Sequence, residues 1–281
     1  MNKTAHWVIL AIVAVIASAF VLMPRNPARQ TPATLSPLSP PPAPGDNEPL
    51  TRFPISSPAA EGPADATPLP ALNDSDPALL DSLGKLSDPE RLGRLFIFKN
   101  LIRRMVVTVD NLPRSRLPQR ELPVPTLSGE FEVTPQGVGK AELDPDNYRR
   151  YQPYVRLIES IDAQKLAEVY FRFYPLFQEA YADLGYPNAY FNDRLVAVID
   201  DLLATPRVEG RIALVQPAVV YKYADPKLEA LSAGQKLMIR VGPDNAERIK
   251  AKLRELRRSL THREGGTLLN KASLKAPPDE R

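Results

Sequence analysis

The 281 residues carry 36 Lys and Arg against 33 Asp and Glu, a net charge of +3, with 31 Pro, 2 His and no Cys. The missing Cys excludes disulfides, thiolate metal sites and Cys nucleophiles. A charge this close to balance argues against a dedicated nucleic-acid binder, so no nucleic acid is expected as a partner.

The chain opens with an uncharged apolar run, Trp7 to Met23, behind Lys3. At seventeen residues it lies at the short end of a membrane-spanning helix. Ala17-Ser18-Ala19 also has the spacing of a signal-peptide cleavage site. Phe20-Val-Leu-Met23 continues the apolar run past that point, which favours an uncleaved anchor over 7–23. A short N-terminal arm before a large C-terminal part favours a single-pass inner-membrane protein with its domain in the periplasm, although flanking charge alone does not orient it. From 24 to 71 the chain is rich in Pro, Ala, Ser and Thr, with fourteen Pro between Pro24 and Pro70. With no apolar period it is expected to be a disordered, extended tether.

A folded domain is expected over 72–261. Ser75-Asp76-Pro77 and Ser87-Asp88-Pro89 each place a capping residue ahead of Pro at a helix start. Leu92, Leu95, Phe96, Lys99, Ile102, Met105 and Val106 then recur at helical spacing, predicting one continuous helix. Pro113, Pro118, Pro123 and Pro125 forbid regular helix, and Phe131 and Val133 alternate with polar residues before a Gly-containing loop, a weak hairpin between Glu130 and Leu143. Asp146 is expected to cap a helix that Pro153 breaks in two.

Asp162 opens the central helix, with Leu166, Tyr170, Phe173, Phe177, Tyr181 and Leu184 on its buried line, a kink expected near Phe171 from Pro175, and Gly185 as its C-cap. It lies in the stretch Tyr148–Phe191, which holds twelve of the nineteen Phe and Tyr residues. Asn192 or Asp193 caps the next helix. Ile212–Val215 and Val219–Tyr223 read as extended, and Asp225-Pro226, Ser232 and Asp244 start three further helices. The last carries Ile249, Leu253, Leu256 and Leu260 on one face and six Lys or Arg elsewhere, expected as a solvated cationic surface. Residues 262–281 are expected to be a disordered tail. The fold class is mainly α: one helical domain with a few short extended segments.

Chemistry has few places to reside. His6 adjoins the apolar run and His262 ends the domain, so His-based catalysis or zinc binding inside it is not expected. No Gly-rich phosphate loop is present, and no cofactor or metal is expected. The one catalytic candidate, a weak one, is Glu159 in a Glu159-Ser160 pair. It invites comparison with lytic transglycosylases, which use a single Glu as acid and base on peptidoglycan. The following Ile161-Asp-Ala163 does not match that family's turn. Tyr186 and Tyr190, on a loop around Pro187, and the Arg149-Arg150 pair are the candidates for contacting a protein partner.

Tyr148-Arg-Arg-Tyr-Gln-Pro-Tyr-Val155, Tyr174-Pro-Leu-Phe177, Leu184-Gly-Tyr-Pro187, Asp193-Arg-Leu-Val196, Leu202-Leu-Ala-Thr-Pro206, Leu214-Val-Gln-Pro217, Tyr223-Ala-Asp-Pro226 and Leu231-Ser-Ala-Gly-Gln-Lys236 together resemble domain-of-unknown-function family 3014 of bacteria. The resemblance spans most of Leu72 to Leu260. It implies a domain behind an N-terminal membrane segment and a Pro-rich linker, and carries no activity or site residues. The expected function is a non-enzymatic, membrane-tethered domain that binds or scaffolds an envelope protein. The alternative is a carboxylate-based enzyme or binder acting on peptidoglycan.

Overall fold

A computed structural model of the chain describes residues 51–55, 68–125, 127, 129–218 and 220–261. The expected anchor over 7–23, most of the tether over 24–71 and the tail over 262–281 lie outside the described residues. Within them, no helix is long and apolar enough to cross a membrane.

The domain is mainly helical, built around one long helix. In chain order the elements are α1 (Asp76–Gly84), α2 (Pro89–Leu95), α3 (Leu101–Asn111), β1 (Val133–Pro135), β2 (Lys140–Leu143), a 3-10 run over Pro145–Tyr151, α4 (Gln152–Glu159), α5 (Ala163–Asp183), α6 (Phe191–Leu203), β3 (Ala213–Val215), β4 (Lys222–Tyr223), α7 (Pro226–Glu229), α8 (Ala233–Arg240) and α9 (Pro243–Thr261). Helix α5 is the centre, with α3 and α9 packed along it, α6 bridging those two, and α4 against α9. Its length follows from its ends. The Asp162 carboxylate accepts from the N–H groups of Gln164 and Lys165 at 2.9 and 3.1 Å. At the other end Gly185 adopts φ +109, and the N–H groups of Gly185 and Tyr186 return to the carbonyls of Ala182 and Tyr181. That is a Schellman turn, and it throws the chain off the axis. Leu166, Tyr170, Phe173, Phe177 and Tyr181 are buried as expected, whereas Leu184, one turn nearer the end, is exposed.

Three helix starts fall elsewhere than the sequence suggests. The continuous helix expected from Pro89 to Val106 is two, because Phe96 turns to extended backbone and Asn100 to the left-handed region at φ +54. Long-range bonds impose the break. The Ile97 N–H donates to the Pro123 carbonyl, and the Asp76 carboxylate accepts from the first N–H groups of α3, those of Asn100 and Leu101, at 2.7 and 2.8 Å. The cap of the 3-10 run is Asp144 and not Asp146: it precedes Pro145 and accepts from the Asp146 N–H. Helix α6 begins at Phe191, with Tyr190 as N-cap and no side-chain cap, so Asn192 and Asp193 lie in its first turn with their side chains free for other bonds.

The expected hairpin and the two extended segments combine into one antiparallel sheet of order β1-β2-β3-β4, with Val133 opposite Leu143, Ala141 opposite Leu214 and Leu214 opposite Tyr223. Its inner face, Leu143, Leu214 and Tyr223, joins Ile212 and Ile239 in a small second apolar cluster against α8. Ser232 and Gln235 close a capping box at the start of α8, whose first N–H groups, from Ala233 and Gly234, satisfy the carbonyls of Arg114 and Leu112 just past α3. The start of α8 thus combines a local cap with partners borrowed from a distant segment.

The cations of α9 are not a solvated stripe. Arg257 pairs with Asp200 of α6 at 2.6 Å, Lys252 donates to the Ile161 carbonyl at 2.7 Å, and the buried Lys250 ammonium donates to the Thr205 carbonyl at 2.6 Å. These bonds fasten α9 to its neighbours, so most of its charge is already committed.

Candidate functional site

The polar groups converge at the head of α6, where the end of α3, the end of α5 and the loop 184–190 meet. Gln178 of α5 holds that loop. Its side-chain oxygen accepts from the Phe191 N–H at 2.9 Å and from the Tyr174 hydroxyl at 3.0 Å, and its amide donates to the Ala189 carbonyl at 2.8 Å. Tyr186 stacks on Tyr181 with centroids 4.7 Å apart, and its hydroxyl accepts from Arg114 at 2.9 Å. Tyr190 is the freer of the two, 43% exposed at the rim. The loop tyrosines therefore divide: Tyr186 holds structure and Tyr190 faces solvent.

Beneath them lies Asp110, its side chain 4% exposed, between two arginines. Arg114 Nη2 is 2.7 Å from its carboxylate and Arg194 Nε is 3.1 Å from it, while Arg194 Nη2 also donates to the Asp110 carbonyl. Burial opposes the charge on Arg114, but the adjacent Asp110 and Tyr186 outweigh it and hold its pKa above the ordinary value. The Asp110–Arg114 spacing of four, running from the last turn of α3 to just past its end, was a readable signal for half of this triad. Arg194 could be added only by the fold.

The first turn of α6 also grips main chain. The Asp193 carboxylate accepts from the N–H groups of Arg52 and Phe53 at 3.0 and 2.9 Å, and the buried Asn192 side chain donates to the Phe53 carbonyl at 2.9 Å. Phe53 and Ile55 pack against the main core. These residues belong to the stretch expected as a tether, and of its described parts the segment 51–55 is held here. Two buried oxygens nearby, Tyr170 Oη and Asn192 Oδ1, have no hydrogen-bond partner among the described residues.

The remaining sequence candidates lie in other contacts. Glu159 ends α4 and makes a two-point ion pair with Arg248 of α9, which also reaches Gln152 and Asn245 at 3.4 Å. Such a pair fastens α4 to α9, with the Glu159 side chain still 38% exposed. Arg149 is exposed and paired with Asp146, whereas Arg150 donates to the carbonyls of Gly129 and Glu130 at 2.8 and 2.6 Å, tying the lead-in of β1 to the 3-10 run. The structure brings neither arginine into contact with the tyrosine loop. Among the described residues one group of carboxylates, Glu132, Asp144 and Asp146, is close enough to share a cation. Asp144 caps the 3-10 run and Asp146 is paired with Arg149, which accounts for both.

Burial also sets the tyrosine titrations. It pushes Tyr174 and Tyr181 up to about 12, Asp193 adding to the first and Asp110 to the second. It carries Tyr223, in the sheet, to about 12 as well, and raises Tyr170 well above its ordinary value. A tyrosine whose folded pKa exceeds its unfolded value of about 10 gives stability that is fully present below pH 10 and is lost as pH rises through 12. For the fully buried Tyr223 that is worth about 3 kcal/mol. The urea midpoint is accordingly expected to stay level from pH 7 to pH 9 and to fall steeply above 10. Tyrosinate absorbance should appear together with unfolding; a midpoint unchanged at pH 11.5 would contradict this burial.

The family described as "Protein of unknown function (DUF3014)" matches residues 101–257, from the start of α3 to the last turns of α9. No curated protein and no solved structure matches the chain. With more than half of its length inside that match, the chain belongs to the DUF3014 family.

Proposed function

We propose that the protein is a non-enzymatic, membrane-tethered domain that binds or scaffolds another protein of the bacterial envelope, anchored by residues 7–23 and placed in the periplasm. The observation that carries the reading is the order of segments. An uncharged seventeen-residue apolar run is followed by a stretch with fourteen Pro, and then by a domain with a packed core. The arrangement at Glu159 supports it against the peptidoglycan alternative, because that carboxylate is engaged by Arg248. Tyr190, exposed beside the rigid loop that Gln178 and Arg114 hold, is an anchor suited to a protein surface.

An alkaline phosphatase fused after Thr261 is active only outside the cytoplasm. The fusion is expected to be active and to sediment with the inner membrane, and deletion of residues 7–23 is expected to abolish both properties. An inactive fusion on the full chain would overturn the periplasmic placement.

A further inference from the structure

The head of α6 has the chemistry of a peptide-recognition slot. Side chains there bind main-chain groups of an extended segment: a carboxylate takes two successive N–H groups, of Arg52 and Phe53, and a buried amide takes the carbonyl of Phe53. This pattern reads backbone direction, and the Phe53 ring against the core adds side-chain selectivity. Proline at the next position suits it, since Pro54 biases Phe53 to extended backbone.

The two sides of the contact differ in how firmly they are built. Asn192 is fully buried, Gln178 fixes the loop in front of it and Arg194, two residues on, is locked to Asp110. The slot's walls are thus fixed by contacts that do not involve the strap, and without the strap the Asn192 amide would lack the acceptor it has now. The seated segment is held lightly: none of Thr51 to Ile55 is buried, and Arg52 and Pro54 are exposed. Three hydrogen bonds and two half-buried apolar side chains keep it there. A preformed acceptor with a lightly held occupant is the arrangement of an autoinhibited site.

We propose that the head of α6 is a recognition slot for an extended peptide carrying an aromatic residue followed by proline, and that the chain's own Arg52–Ile55 fills it in cis. A partner with a matching segment displaces the strap, freeing the tether at the moment it engages the domain. The inference stands on the hydrogen bonds at Asn192 and Asp193, and it holds whether or not the chain is anchored in a membrane.

Two measurements on the purified full-length protein test it. Trypsin cleavage after Arg52 is expected to speed up about tenfold in Asp193→Ala and in Phe53→Ser, because cleavage follows the fraction of strap undocked. Phe53→Ser removes the strap's ring from the rim of the core and leaves every side chain from Leu72 on in place, so an unchanged melting temperature separates this arm from a destabilised core. A fluorescent peptide of residues 51–55, Thr-Arg-Phe-Pro-Ile, is expected to bind the Phe53→Ser protein saturably, wild type about tenfold more weakly through competition in cis, and the Asp193→Ala/Phe53→Ser double variant not at all. Equal cleavage after Arg52 in all three proteins would overturn the strap. Faster cleavage without saturable binding to Phe53→Ser would overturn the slot.

Discussion

Replacing Asp110 by alanine is expected to destabilise the domain by about 3 kcal/mol, and to lower its melting temperature by roughly 6–12 °C. The side chain is 4% exposed and is the shared counter-charge of Arg114 and Arg194. Without it, two guanidinium groups face each other at the junction of α3 and α6 with no anion between them. The cost sits at the low end for a broken buried pair because the arginines are 37% and 28% exposed and can turn partly to water. The same substitution should loosen the loop above, since Arg114 holds the Tyr186 hydroxyl and Arg194 follows Asn192 by two residues. Faster amide exchange at Ala189 and Phe191 would report that loosening separately from global unfolding. Arg149→Ala is the matched control: its pair with Asp146 is fully at the surface, and its loss should change stability by less than about 0.5 kcal/mol. Similar losses for the two variants would mean that the triad at Asp110 holds nothing together.

Much of this domain's local structure could be read from short-range rules. Asp88, Asp162, Asp225 and Ser232 each cap the helix their neighbours announce, because a cap needs only the residues within one turn of it. What the sequence could not disclose lies in side chains spent on distant backbone. Asp76 looked like the opening of its own helix, yet its carboxylate caps α3, and that bond helps break a pattern that was periodic from Leu92 to Val106. Asp193 looked like a cap and instead holds residues some 140 positions away. The strands were legible as a hairpin and two extended segments, but their union in one sheet was hidden for a related reason. Strands of two to four residues carry too few side chains to specify a partner, and the pairing of β2 with β3 joins segments about seventy residues apart. The candidate site repeats this division. Tyr186 and Tyr190 were visible as aromatic residues in a proline-bearing loop, while Asp110, Arg194 and Asn192 gain meaning only when three helix ends meet.

Gly242→Ala is expected to cost about 2–4 kcal/mol, from two causes that add. The backbone of Gly242 lies at φ +91, where a side chain is strained whatever space surrounds it. Space is also lacking: a Cβ there would lie 2.6 Å from Tyr148 Cγ and 2.7 Å from its Cδ2. Tyr148 cannot simply retreat, because its ring packs on the cluster under the sheet and its carbonyl accepts from Asn245 of α9 at 3.2 Å. A displaced ring would therefore pull on the joint between the 3-10 run and the start of α9. Thermal unfolding of Gly242→Ala, of Tyr148→Ala and of the double variant separates the causes. Removing the ring should relieve the steric part and leave the backbone strain, so the double variant should lose less than the sum of the two singles. Gly93→Ala calibrates the sign. That glycine lies inside α2 with nothing within 4 Å of a new Cβ, and the change should stabilise by about 0.5–1 kcal/mol through helix propensity. Opposite signs at two glycines would show that the fold needs glycine at the turn into α9 and merely tolerates it in α2, whereas a loss at both positions, or strict additivity with Tyr148→Ala, would remove the contact between ring and glycine as the reason.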